Sequence, residues 1–378
     1  MFHGPPAYTV AMARTDIAIV GGGIIGASLA EELARRGQRV CLIERGTVGQ
    51  EASSAAAGIL SAQMDVPTAG PFFDLCQAAR RLYPQWIRRV ERTAGQAVDY
   101  RVSGVLYLVS SAAQERRMAA RARWQSRAGH RVERWSMAQV RRREPAVDGR
   151  FRSGFHFPLE GQVDNARLMP ALARTCRASG VELHEHTTAR RLLIRRGRVQ
   201  GVATDRRTVV ALVVVNTLGS WAAARRLGYP TVPVEPARGQ IIAADSPVRL
   251  FRRPVMTDQA YVVQRADGRL LLGSTIERVG FDKSLTVEGL HAILCGAQRI
   301  SSSLAESRFA GAWAGLRPYS GTGDPLMGRS AVQGLYLATG HFRHGILLAP
   351  VTARLMADLI LTGRSSFDLS PFSPSRFS

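Results

Sequence analysis

Gly21-x-Gly23-x-x-Gly26, set between a short apolar run and a helical one, restricts what this chain can fold into more than any other feature. Gly21 permits a tight turn, Gly23 lets backbone amides approach a pyrophosphate, and Gly26 lets a helix lie close to the strand before it. The helix opening at Ile24 and Ile25 offers unsatisfied N–H groups and a positive dipole end to an anion. Asp16 to Val20 supplies the strand. Ala30, Leu33 and Ala34 fall on the inner face of a helix over 27–36, and Gly37 supplies the left-handed residue that ends it. A second strand, Arg39 to Glu44, follows, and Glu44 lies 23 residues beyond Gly21. A carboxylate there accepts both ribose hydroxyls and repels a 2′-phosphate; its bland alternative is a surface charge at a strand end. The spacing as a whole predicts a dinucleotide site.

Which dinucleotide stays open at this point. The next segment, Ser53-Ser54-Ala55-Ala56-Ala57-Gly58-Ile59-Leu60, is built of small residues that let backbone pass close to a flat ring system. Its two hydroxyls can reach phosphate, although a small-residue packing turn has the same composition.

Strand-like and helix-like segments alternate along the chain, which predicts an α/β protein. Helices are expected over 75–92, 118–128 and 346–361, with Pro350 in the first turn of the last. Strands are expected over 104–110, several over 181–215 around a turn at Arg196-Gly197, and one over 335–339. The stretches 233–244 and 261–276 alternate as an antiparallel sheet does, with a hairpin turn at Ala266-Asp267-Gly268. A chain of 378 residues exceeds one ordinary core. The expected division is interleaved: nucleotide domain 1–65, 159–225 and 313–378; substrate domain 66–158 and 226–312. The lead-in before Met12 and the Ser/Pro-rich tail after Gly363 read as extended surface segments.

No run of eighteen uncharged apolar residues occurs, so no membrane-spanning helix is predicted. Cys41, Cys76, Cys176 and Cys295 are scattered without a C-x-x-C pair, which argues against a metal site or a disulfide framework and suits the cytoplasm. The net charge of +22 comes almost wholly from arginine, Lys283 being the one lysine, as GC-rich coding would produce. No nucleic-acid-binding motif accompanies it, so no specific nucleic-acid partner is expected.

Together these motifs resemble the FAD-dependent D-amino acid oxidase superfamily, glycine oxidase branch. Three later segments carry the likeness over nearly the full length. Val214-Val215-Asn216-Thr217-Leu218-Gly219-Ser220-Trp221 is similar to the family's segment beside the flavin. Gly315-Leu316-Arg317-Pro318, with Asp324-Pro325 and Gly328-Arg329, resembles its substrate-carboxylate region. The most specific is Gly340-His341-Phe342-Arg343-His344-Gly345-Ile346-Leu347-Leu348-Ala349-Pro350, which resembles the flavin-contacting turn and helix. Residues 372–377 are similar to the family's closing segment. The resemblance implies a Rossmann-like FAD-binding domain of the GR2 type interleaved with an antiparallel-sheet substrate domain. It implies cofactor contacts from Gly21, Gly23, Ile24, Ile25, Gly26, Glu44, Arg45, Ser53, Ser54, Ala57, Gly58, Ile59, Ala189, Gly219 and Trp221, and from Gly340 through Leu347. The covalent-flavin cysteine that sarcosine oxidases carry near Gly315 is absent from the sequence, which implies non-covalent FAD.

An amino acid substrate needs its carboxylate fixed so that the Cα–H faces the flavin. Arg317 can do this bidentately, or be a structural ion pair. The resemblance places Tyr261 beside that carboxylate and Arg343 at the flavin or the pocket entrance, with a core tyrosine and a solvated arginine as their plain alternatives. His341 and His344 read as cofactor-turn residues. The implied activity is oxidation of glycine, other small amines or D-amino acids by O2, giving an imine, then 2-oxo acid and ammonia, and hydrogen peroxide. Thiamin thiazole synthesis is the implied role, in a homo-oligomer. A D-amino acid dehydrogenase feeding a quinone or carrier, and a non-catalytic flavin-containing binding module, are the alternatives; a pure binding module has no use for a carboxylate clamp.

Overall fold

A computed structural model describes residues 12–223 and 232–377. The lead-in before Met12 and the expected boundary between 225 and 226 lie outside the described residues. Ile17–Val20 is the centre of a six-stranded sheet, with Val40–Ile43 on one side and Val213–Asn216 on the other, all parallel. Glu182–His184 and Leu335–Thr339 extend it in parallel, and Leu326–Arg329 closes one edge antiparallel. A parallel sheet has to be covered on both faces, which is why its strands are apolar throughout. Here the covers differ. Helices Ile24–Arg35, Pro71–Ala94, Asn165–Ala178 and Gly345–Thr362 pack on one face and share its core. On the other lies a four-stranded sheet made of Met12–Arg14, Thr208–Val210, Arg198–Thr204 and Ala189–Arg195, joined through Ala18, Val20, Cys41, Ile43, Val199 and Val202. Arg196 and Gly197 turn its hairpin with φ of 50° and 72°, the left-handed pair that a two-residue loop requires.

An eight-stranded sheet forms the second layer system. Its order is Arg308–Tyr319, Glu235–Asp245, Arg269–Gly273, Tyr261–Gln264, Val255–Met256, Val105–Val109, Ser153–Phe157 and Glu133–Trp135. Every pairing is antiparallel except that of Val255–Met256 with Val105–Val109. The long strand Arg308–Tyr319 runs straight through the expected boundary at 312/313, because its ladder with Glu235–Asp245 continues to Tyr319. Arg317 therefore stands on this sheet and not on the six-stranded one.

Two local expectations need correction. Pro350 is the sixth residue of Gly345–Thr362, beyond the first turn. The tail after Gly363 is not extended: it makes two 3-10 turns, buries Phe372, and Arg376 donates to the carbonyls of Pro371, Asp324 and Pro325. By length and composition Gly345–Thr362 suits a membrane, yet it lies against Ile24–Arg35 and Pro71–Ala94, and 61% of it is buried. Its apolar surface is consumed by the core.

Candidate functional site

The turn after Ile17–Val20 is built by close approach. Gly21 has φ 111°, and a Cβ there would sit 2.6 Å from the Thr217 carbonyl oxygen. On Gly26 a Cβ would sit 2.0 Å from the Gly21 carbonyl oxygen, so only glycine lets the helix start this near the strand. The Thr217 hydroxyl ties the turn down by donating to the carbonyls of Val20 (3.0 Å) and Gly21 (2.8 Å). The Ile24 amide donates to the Ser53 hydroxyl at 2.9 Å. Glu44 is aimed by two amides, Gly22 to Oε2 at 2.7 Å and Gly46 to Oε1 at 2.8 Å, and each oxygen keeps room for another donor. Arg45 stacks its guanidinium 4.0 Å from the Trp221 ring centre.

The small-residue segment 52–60 is pinned from three sides. Trp313 Nε1 donates to the Ala55 carbonyl at 3.0 Å, Asn165 Nδ2 to Ala56 at 2.8 Å, and Arg265 Nη2 to Ala57 at 2.7 Å. Gly58, at φ 68°, has the Val163 carbonyl where a Cβ would be, 2.0 Å away. Fixed there, the segment faces Gly315, whose own Cβ would press to 2.7 Å from that of Ala55.

Between the two large sheets runs a cavity of about 450 Å³. Its wall includes Gly21, Gly23, Ile24, Ile25, Glu44, Arg45 and Ser53, together with Ala57, Gly58, Ile59, Ala189, Gly219 and Trp221. Tyr261, Arg317, His341, Phe342, Arg343, Gly345 and Ile346 line it too. Gly26, Ser54, Gly340, His344 and Leu347 are not on the wall. Gly26 acts through packing, and the Ser54 amide donates to the Gly49 carbonyl. Thr187, Thr188, Asp65, Met256, Gly239 and Ser274 line it as well and were not expected. Ser274 follows directly on the Tyr261↔Gly273 pairing, so the antiparallel register carries a signal for it; Thr187 and Thr188 form a hydroxyl pair just before the strand at Ala189.

Arg317 has an unusual position. Nη1 donates to the Thr275 carbonyl at 3.1 Å and Nη2 to the Ser274 hydroxyl at 2.7 Å. Gly239 lies flat against it, a Cβ there reaching to 2.0 Å of Nη1. Among the described residues no carboxylate lies within ion-pair distance of it, so its partners are neutral and its remaining N–H groups are free for a ligand in the cavity. Burial pulls its pKa below the usual guanidinium value, which leaves it charged at neutral pH. Burial raises the Tyr261 phenol, against Arg317 and Ser274, so it stays a hydrogen-bond donor. Arg343 also reaches the wall, with its Nη2 donating to Asp65. His341 accepts or donates through Nε2 to the Thr352 hydroxyl at 3.0 Å, and burial lowers it to about 3; His344, edge-on to Phe72, is lowered to about 4 by the same cause. Both imidazoles are neutral at neutral pH.

A family model described as FAD dependent oxidoreductase matches residues 16–359. The chain is 34% identical over 370 residues to a bifunctional protein ThiO/ThiG of Synechocystis sp., covering 96% of itself and 54% of that protein; it thus spans about half of that relative. It is 32% identical over 370 residues to a glycine oxidase of Geobacillus kaustophilus, covering 96% and 97% of the two chains. The crystal structure of glycine oxidase from that organism superposes with a TM-score of 0.92 over 96% of this chain and 99% of the other. The glycine cradle at 21–26, the aimed Glu44 and the long cavity fit an FAD molecule lying between the two sheets. By family model, sequence and fold, the chain belongs to the FAD dependent oxidoreductases of the D-amino acid oxidase family.

Proposed function

We propose that the chain oxidises glycine and other small amines or D-amino acids, and that Arg317 is the residue that holds their carboxylate. One observation carries this reading: a half-buried guanidinium faces the cavity with only neutral partners. A desolvated charge without a counter-ion is costly, and a substrate carboxylate would relieve it. The glycine oxidase relatives, covered almost end to end, support the choice of substrate class, and the ThiO name supports a place in thiamin synthesis.

FAD, when bound, supplies the hydride acceptor. The protein's share is orientation. Arg317 fixes the carboxylate and the Tyr261 hydroxyl adds a second donor, so the two together set the direction of the Cα–H. Gly239 and Gly273 keep those two side chains flat against the sheet, since a Cβ on Gly273 would meet the Tyr261 hydroxyl at 2.4 Å. Glu44 would accept the ribose hydroxyls of FAD, and the N-terminus of Ile24–Arg35 would hold its pyrophosphate. The N-terminus of Gly345–Thr362, with Gly345 and Ile346 on the wall, offers amides and a positive dipole end that would favour negative charge on a bound cofactor.

The same reading gives residues 1–65, 159–225 and the end of the chain to the flavin domain, and 66–158 and 226 onward to the substrate domain. The last crossing is placed after Tyr319, where the ladder ends. O2 as electron acceptor, a cytoplasmic location with four free cysteines, and assembly into a homo-oligomer belong to it too. Anaerobic mixing of the FAD-loaded protein with glycine, sarcosine and D-alanine tests the reading. Bleaching of the flavin by at least one of them, and peroxide on admitting air, is expected; no bleaching by any amino acid would overturn it.

A further inference from the structure

The wall that presents Arg317 presents a second guanidinium, Arg343, close enough to depress the Arg317 pKa. A pocket with two free guanidiniums favours ligands with two carboxylates. In this chain Arg343 is occupied: its Nη2 donates to Asp65, which lines the same cavity. Asp65 does not swing freely. The amides of its neighbours Gln63 and Met64 donate to Glu160 Oε1 at 2.6 and 2.9 Å, and Gln125 Nε2 donates to the Gln63 carbonyl at 2.9 Å. Arg121 stands behind, donating to the Met64 carbonyl and sensing the charges of both Asp65 and Arg343. Of the other acids on the wall, Glu44 accepts two backbone amides, Glu51 pairs with Arg45 and Lys283, and Asp258 accepts from Gln114; among the described residues none of them pairs with Arg343.

We propose that Asp65 determines specificity at this site: by occupying Arg343 it leaves Arg317 as the guanidinium open to substrate, so the pocket takes amines with one carboxylate and discriminates against those with two. A second carboxylate would have to displace Asp65 from Arg343 while facing its like charge. Both terms oppose binding, and a hydrogen-bonded charge pair is not broken without loss. Asp65 acts through Arg343 and is a positioning residue. The inference rests on the assignment of Arg317 to the substrate carboxylate.

Sarcosine and iminodiacetate share one secondary amine and differ by one carboxylate, so the ratio of their kcat/KM values isolates the second charge. Asp65→Asn should raise the ratio of iminodiacetate to sarcosine by roughly tenfold or more, chiefly through a lower KM for iminodiacetate. Binding of malonate against acetate, followed by flavin absorbance, should shift the same way without turnover. Asp65→Glu should keep the wild-type ratio, and Arg343→Gln added to Asp65→Asn should abolish the gain. A ratio unchanged in Asp65→Asn, or a gain that survives loss of Arg343, would overturn the proposal. Should Asp65→Asn not fold, Asp65→Ser carries the same expectation. The Arg317 assignment fails separately: acetate would then bind equally well to wild type and Arg317→Ala.

Discussion

Buried Arg265 and half-buried Arg317 both lack a carboxylate in contact among the described residues, and what each touches separates structure from chemistry. Arg265 donates to Gln162 Oε1 and the Ala57 carbonyl behind the cavity wall, and burial lowers it to about 10. It braces the small-residue segment. Arg317 faces the cavity with donors to spare. A second buried group gives a pH signature. Glu160 accepts two backbone amides on Oε1, has no partner for Oε2, and is pushed up to about 8 by burial. The folded state therefore holds a proton that the unfolded chain releases from its ordinary 4.5 upward, so stability falls as pH rises from there to about 8. Buried His341 and His344 act oppositely: their contribution is complete above 6.5 and is lost as pH falls toward about 3 and about 4. Glu160→Gln, which mimics the protonated acid, should flatten the decline in Tm between pH 5 and 8 and leave the acid-side loss in place. A variant with the wild-type slope in that range would show that Glu160 is ionised in the fold.

At the scale of elements, glycines that look alike in sequence do different work. Gly37 has φ 84° with nothing within 4 Å of a Cβ, so Gly37→Ala meets only backbone strain, about 1 kcal/mol, and should retain flavin. Gly26→Ala drives a methyl into the Gly21 carbonyl at 2.0 Å and must displace strand from helix. It should lose flavin on purification, measured by absorbance per chain; full occupancy in Gly26→Ala would contradict the close-packed turn. That motif was legible because its meaning is local: three glycines, a helix stop and an acid on the next strand. The parallel strands were legible for the same reason, being short and apolar on both faces. What escaped depends on pairing between distant segments. Asp65 meets Arg343 from 278 residues away, and no period or spacing marks such a partner. Strand Arg308–Tyr319 crosses the expected boundary at 312/313 because its reach is set by its partner, not by its own sequence. The tail folds back because Phe372 and Arg376 find sites on other elements.

For the molecule as a whole, one cavity is lined by residues of both large sheets, and the proposed reaction draws on each. The six-stranded sheet delivers the glycine turn and Glu44; the eight-stranded sheet delivers Tyr261 and Arg317. Part of the arginine excess is spent inside this frame. Arg238 is buried against Glu277 and Asp282, Arg253 against Glu144, and Arg269 pairs with Asp164. The charge count alone therefore overstates the basic surface. The proposed chemistry depends most directly on Arg317. Truncating one partner of a desolvated charge pair costs about 2–5 kcal/mol. Steady-state kinetics on glycine should show kcat/KM lowered roughly 30- to 5,000-fold in Arg317→Ala, with FAD occupancy retained. An Arg317→Ala protein that oxidises glycine with wild-type efficiency would place the substrate carboxylate elsewhere and contradict the account.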